Sequence, residues 1–189
     1  MTSPAGPPIA DSVRLAWPSE SVAIAELQRR SWGELPGELG TTMLAAISLA
    51  EMTEVWQQVI SRPPQARCRV LVAVDATRPV GFATTLPSED GDADPKLDGE
   101  IDQFVIDPPA RQRGHGSRLL NACADTLRAD GFGTARWWVL AADDGLRRFL
   151  AGAGWAADGA HREIGTEDEA VRLKQVRLHT DLAEAGLSG

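Results

Sequence analysis

The chain has no tyrosine, two cysteines and three histidines in 189 residues. Cys68 and Cys123, taken with His115, His161 and His179, form none of the ligand spacings of a zinc site, so no metal is expected. The first ten residues, MTSPAGPPIA, lack both a basic start and an apolar stretch, so they do not read as a secretory signal and reduced thiols in the cytoplasm are expected. No apolar run reaches the ~20 residues of a membrane span. Positive charge is also scarce. With 19 Lys+Arg against 27 Asp+Glu, the net charge is -8 and the pI about 4.9, which argues against nucleic acid as a partner, because phosphate binding needs a basic surface.

What remains is an ordinary globular composition, 43% hydrophobic and 24% charged, at a length that buries one core. A flexible leader over 1–10, a single domain over 11–181 and a flexible tail over 182–189 are expected. Val13, Leu15 and Trp17 alternate as a short strand closed by Pro18. Ser19 is placed to cap a helix to about Trp32, ended by Gly33, and a second helix is expected from about Thr41 to Ile60. The apolar run Val70–Val74 reads as a central strand covered on both faces, paired through a turn with Val80–Leu86. Residues 87–99 read as a loop, and Ile101–Ile106 as the next strand, stopped by Pro108 and Pro109.

A helix follows Gly114, with Leu119, Leu120, Cys123 and Leu127 as its apolar stripe and Gly131 after its end. Thr134–Leu140 is a strand, and Asp143 or Asp144 caps a short helix that carries Leu146, Phe149, Leu150 and Ala153 inward. Trp155–Ile164 and Val171–His179 close the chain as strands joined by an acidic turn, with a bulge expected near Lys174 and Gln175. The fold class is α+β, with one mixed sheet of about seven strands and about four helices.

The informative segment is IDQFVIDPPARQRGHGSRLL, from Ile101 to Leu120. A buried strand passes into Arg111-Gln112-Arg113-Gly114-His115-Gly116, and Ser117 lies in the first turn of the following helix. Such a turn presents unpaired N–H groups at the positive end of a helix, which suits a pyrophosphate. Arg111 and Arg113 add positive charge in an acidic chain. A Rossmann fingerprint would need glycine at Leu119, and a P-loop would need Gly-Lys-Ser/Thr; both are missing.

On these residues the chain resembles the GNAT superfamily of acyltransferases, whose signature Arg/Gln-x-x-Gly-x-Gly/Ala is met at Arg111 to Gly116. A second similarity lies at the helix beside the pantetheine arm, where the family often shows Asn, then Ala, then Phe-Tyr, then Gly-Phe and this chain has, in register, Asp143, Leu146, Phe149-Leu150 and Gly154-Trp155. The resemblance implies a mostly antiparallel sheet with a V-shaped splay between the strands at 101–106 and 134–140. It implies acetyl-CoA, or another acyl-CoA, bound by main-chain groups of Phe104, Val105 and Ile106, with Gln112, Arg113, Gly114, His115, Gly116 and Ser117 around the pyrophosphate, Arg111 alongside and Asp143 facing the arm. The activity it implies is transfer of an acetyl group to a primary amine of a small molecule or peptide, by a monomer or homodimer.

An amine attacks only when neutral, so a carboxylate near the strand end is the natural base. Glu100 stands where several family members keep a glutamate base, shares strand parity with Asp102, and competes with Asp98 two residues earlier; a bulge decides between them. The alternative for both is a solvated loop acid. The family's tyrosine acid falls at Leu150, which cannot donate a proton, so a catalytically weak or inactive acyl-CoA-binding regulatory protein is the second reading. A third is an unrelated binding protein with an incidental glycine turn.

Seven acids between Glu89 and Asp102 face the single Lys96, either drawing in a cationic acceptor or solubilising a loop. Trp137 and Trp138 point to opposite faces of one strand, one toward the core and one toward a groove. Trp32 and Trp56 sit where the resemblance places the acceptor-side wall. Cys123 reads as a buried hydrophobe and His115 as a loop side chain whose backbone matters.

Overall fold

Seven strands form one sheet in the order β1-β2-β3-β4-β5-β7-β6 in the computed structural model, which describes residues 12–165 and 172–182. The elements are β1 (Ser12–Leu15), α1 (Ser21–Trp32), α2 (Leu39–Ala46), α3 (Leu49–Ser61), β2 (Arg69–Asp75), β3 (Arg78–Pro87), β4 (Asp98–Ile106), α4 (His115–Ala129), β5 (Thr134–Leu140), α5 (Asp144–Gly152), β6 (Ala156–Gly165) and β7 (Arg172–Asp181). Among the described residues only the β4–β5 pair is parallel. The expected leader and the acidic turn between β6 and β7 lie outside the described residues, as does the tail beyond Leu182.

Two cores cover opposite faces of the sheet. On one, the α4 stripe of Leu119, Leu120, Cys123 and Leu127 packs on Leu71, Ala73, Val80, Ala83, Ile101 and Trp137. On the other, Ile24 and Leu27 of α1 and Met52 and Trp56 of α3 pack on Val70, Val72, Val74, Phe82 and Val105. The alternation along β2 supplies both cores, so the strand has no polar face. At 0% exposure of Ile24, Val72, Phe82, Ile101 and Leu119, each side chain contributes about 1.5–3 kcal/mol of burial.

Several boundaries differ from the sequence reading. The helix expected over 41–60 is broken at Ile47, which is extended, and Ser48 starts a new helix by accepting from Glu51 N while Glu51 caps back. The chain therefore has five α-helices among the described residues. Ser19 does not cap α1: it lies in a 3-10 turn at Pro18–Glu20, and Glu20 instead holds Trp17 N and Arg14. The register shift of the last hairpin falls between Ala157 and His161 on β6, not at Lys174-Gln175 of β7, whose apolar phase is set by pairing with β5. Leu182, expected to open the tail, is 1% exposed and hydrogen-bonds through its amide to Gly133.

Two features of β4 position the site. Ala83 faces Phe104 but Thr85 faces Ile101, so Asp102 and Gln103 together oppose Thr84. This bulge is held by Gln103 N donating to the Thr84 hydroxyl at 2.9 Å. It reverses the strand's faces: Ile101 lies in the α4 core and Val105 in the α1/α3 core. Parallel pairing with β5 then runs only from Asp98↔Thr134 to Ile101↔Trp137. Beyond Ile101 the two strands part, which gives the expected splay.

Candidate active site

The start of α4 lies beside the end of β4: a Cβ on Gly116 would stand 3.9 Å from Ile106 Cγ1 and 4.0 Å from Phe149 Cζ. Here Gln112 has φ +59° and Gly114, the residue before α4, has φ +81°. The left-handed backbone at Gly114 turns the chain so sharply that α4 begins directly behind it. The Arg111 N–H donates to the Pro108 carbonyl at 3.2 Å, and among the described residues the next main-chain N–H in good geometry with a carbonyl is that of Arg118, which donates to Gly114 at 3.1 Å. Residues 111–114 already curl as a turn, but no amide of 112–117 meets a carbonyl of the described residues in good hydrogen-bond geometry, as expected for a helix start.

The side chains of this turn are committed elsewhere. Arg111 bonds Glu34 through Nη1 at 3.0 Å and the Ile106 carbonyl through Nε at 3.1 Å. Arg113 pairs with Asp75 at 3.0 Å. The positive charge expected at the loop is thus largely answered by acids, and the main chain is what the turn still offers an anion. His115 corrects the expectation of a loop side chain: it is the first residue of α4 and 1% exposed, with Nδ1 3.2 Å from Arg118 Nη2. Ser117 is exposed in the first turn. Asp143 caps α5, accepting from Leu146 N at 2.9 Å. Leu150 is 0% exposed, inside the core under α5.

Before the bulge, Glu100 and Asp102 share the face of β4 that looks toward α1 and α3. Glu100 is half-buried, and its Oε2 accepts from the Ser88 hydroxyl at 3.0 Å. Burial pushes its carboxyl above the ordinary range; the Ser88 bond and Arg162 oppose the shift, while Asp90 and Asp102 add to it. Asp98 lies in β4 as well, but its Oδ2 is 2.9 Å from Arg136 Nη2 and also accepts from Asp94 N. Neither acid is a loop residue.

The acidic stretch does something composition did not predict. Arg177, 6% exposed on β7, binds Asp90 at 2.8 Å, Asp92 at 2.6 Å and Asp158 at 2.6 Å. Arg136 binds Asp92 at 3.0 Å and Asp98 at 2.9 Å. Hydrogen bonds from Arg177 hold Asp92 well below the usual carboxylate range. Two acids of the 88–97 segment, Asp90 and Asp92, therefore tie it to Arg136 of β5 and Arg177 of β7. The signal available in the sequence was an arginine set between apolar neighbours on each of two strands, Arg136 between Ala135 and Trp137 and Arg177 between Val176 and Leu178. Trp138 joins this network through Nε1 to Asp90 at 3.0 Å, with Arg162 4.4 Å above its ring. Trp137 packs in the opposite core against Phe104 and Trp155.

A cavity of about 330 Å³ opens between α1, α3 and the bulge of β4. Trp32 and Trp56 both line it. Among the described residues no helix is long and apolar enough to cross a membrane, and no three His, Cys, Asp or Glu side chains are grouped to hold a metal.

A family model described as the acetyltransferase (GNAT) family matches residues 23–155. Similar solved structures include yncA, a putative acetyltransferase from Salmonella typhimurium with acetyl-CoA, at 15% identity and TM-score 0.71, covering 95% of this chain and 98% of that one. A ribosomal-protein-alanine N-acetyltransferase from Brucella melitensis matches at 15% identity and TM-score 0.70, over 89% and 98% of the two chains. A GCN5-related N-acetyltransferase from Kribbella flavida matches at 19% and 0.67, over 93% and 99%. At these identities the likeness is one of fold. No curated protein sequence matches the chain.

Proposed function

Since the chain belongs to the acetyltransferase (GNAT) family, we propose that it moves an acetyl group from acetyl-CoA directly to a primary amine, with both substrates bound together. The observation that carries this reading is the uncommitted N–H row of residues 112–117 at the end of a notch whose other end holds a half-buried carboxylate, Glu100.

In this reading the notch edge of β4, at Phe104, Val105 and Ile106, bonds the pantetheine arm. The amides from Gln112 to Ser117 receive the pyrophosphate at the positive end of α4. Arg111 and Arg113 serve mainly by bracing the turn through Glu34 and Asp75. Asp143 acts as the cap of α5. Acetyl-CoA supplies a thioester whose thiol, with an ordinary pKa of about 8.5, leaves readily. Glu100 accepts the proton that the acceptor ammonium must lose before its nitrogen lone pair attacks. Its raised pKa makes it a stronger base than an ordinary carboxylate, and the Ser88 hydroxyl fixes its orientation. Asp98 is the weaker candidate, because Arg136 already uses its charge.

Acetyl-CoA at a hundredfold excess over Kd is expected to stabilise the fold by about 2.7 kcal/mol, read as a rise in Tm. Thiol release with primary amines above the hydrolysis background then tests transfer. An unchanged Tm sinks the reading. The buried Leu150 and the lack of tyrosine favour one other outcome, a Tm rise without transfer to any amine, which marks an acyl-CoA-binding regulator.

A further inference from the structure

The cavity beside the β4 bulge carries a statement about the acceptor. It lies between Trp32 of α1, Met52, Val55 and Trp56 of α3, and Asp102 and Gln103 of the bulge. Its exposed walls are mostly apolar, the guanidinium of Arg69 that also lines it is held by Asp130 at 2.8 Å, and about 330 Å³ is the small end of ligand-sized space. The bulge turns both Asp102 and Gln103 to this face, one residue more than an unbroken strand would.

Charge is arranged in the same sense. Asp90, Asp92 and Asp98 are spent on Arg136 and Arg177. Asp102 is exposed, and among the described residues its carboxylate accepts from the neutral Gln103 amide at 3.3 Å. Glu100 lies two residues back on the same face, roughly 7 Å along the strand. One available carboxylate at the cavity edge, a base nearby and two indoles in the wall fit a monocation with an apolar body. They do not fit a polycation, which would need several free carboxylates.

We infer that the acceptor is a small primary amine on an aromatic or branched aliphatic body, the body in this cavity and the ammonium at Asp102. This rests on the transfer reading above for its chemistry, but the binding site is testable alone.

Saturation-transfer NMR with phenethylamine on the full chain, with and without acetyl-CoA, is the first measurement, and kcat/KM for phenethylamine against spermidine is the second. Phenethylamine is expected to receive saturation and to be used at least tenfold better than spermidine. Val55→Asp changes a rim residue that is 51% exposed, so folding is spared; it is expected to raise KM for phenethylamine about tenfold while leaving acetyl-CoA affinity unaltered. Asp102→Asn is expected to raise the same KM several-fold. No saturation of phenethylamine, a preference for spermidine, or an unmoved KM in Val55→Asp overturns the assignment. Loss of acetyl-CoA binding alone instead overturns the transfer reading, since the NMR result does not depend on it.

Discussion

Replacing Glu100 with glutamine separates a catalytic base from a structural acid, because the two roles move different observables in opposite directions. Glutamine keeps the volume and can offer its side-chain carbonyl to the Ser88 hydroxyl, which now donates to Oε2 at 3.0 Å. What it removes is the proton-accepting charge. A positioned base contributes 10²–10⁴ in rate, and the thiol leaving group needs little assistance, so a fall in kcat of roughly a hundredfold near pH 7.5, about 2.7 kcal/mol, is expected. Stability is expected to move the other way. Burial holds the folded pKa of Glu100 above its unfolded value, so between those values the native state binds more protons than the unfolded one. Ionising Glu100 therefore costs native stability as pH rises through that window, and the cost persists at neutral pH. The glutamine variant escapes it and should melt at a higher temperature than the parent at pH 7.5, with the advantage vanishing at pH 4. Initial rates of thiol release and melting curves at both pH values are the assay. An unchanged kcat removes Glu100 from the mechanism, and a lower Tm at neutral pH shows that the carboxylate was holding structure.

Other expectations follow from single residues. Gly114→Val forces a branched side chain into φ +81° and is expected to cost about 1–2 kcal/mol of stability and to weaken acetyl-CoA binding at least tenfold, measured by denaturant melts and calorimetry. Arg177→Met takes the guanidinium from Asp90, which keeps Trp138 Nε1, and from Asp158, which keeps the Ala160 N–H, and should lower stability by about 3 kcal/mol in urea unfolding, more than any exposed ion pair would. Because Arg177 depresses the Asp92 carboxyl, the stabilisation it gives is present at neutral pH and is lost as acid protonates that group; the parent and Arg177→Met curves should converge toward low pH. Thiol labelling of the native protein should modify Cys68 and spare Cys123, whose thiol is 0% exposed and pushed far up by burial; equal labelling rates would show that α4 opens readily.

Local chemistry made much of this molecule legible in advance. The Gly114 turn, the α4 stripe ending at Gly131, the Asp143 cap and the opposed faces of Trp137 and Trp138 are each decided within a few residues, so the sequence determined them. The break at Ile47 was less visible, because two short helices in line preserve helical spacing and only the capping pair Ser48 and Glu51 separates them. Tertiary structure decided what depends on partners distant in the chain. The bulge at Asp102-Gln103 is defined by pairing with β3, yet it turns both residues into the cavity wall. The pairing of Arg111 and Arg113 with Glu34 and Asp75, and the clamp of Arg136 and Arg177 on the 88–97 segment, join residues tens of positions apart. Composition registers how many charges a chain carries; only the folded contacts decide which of them remain free to meet a substrate.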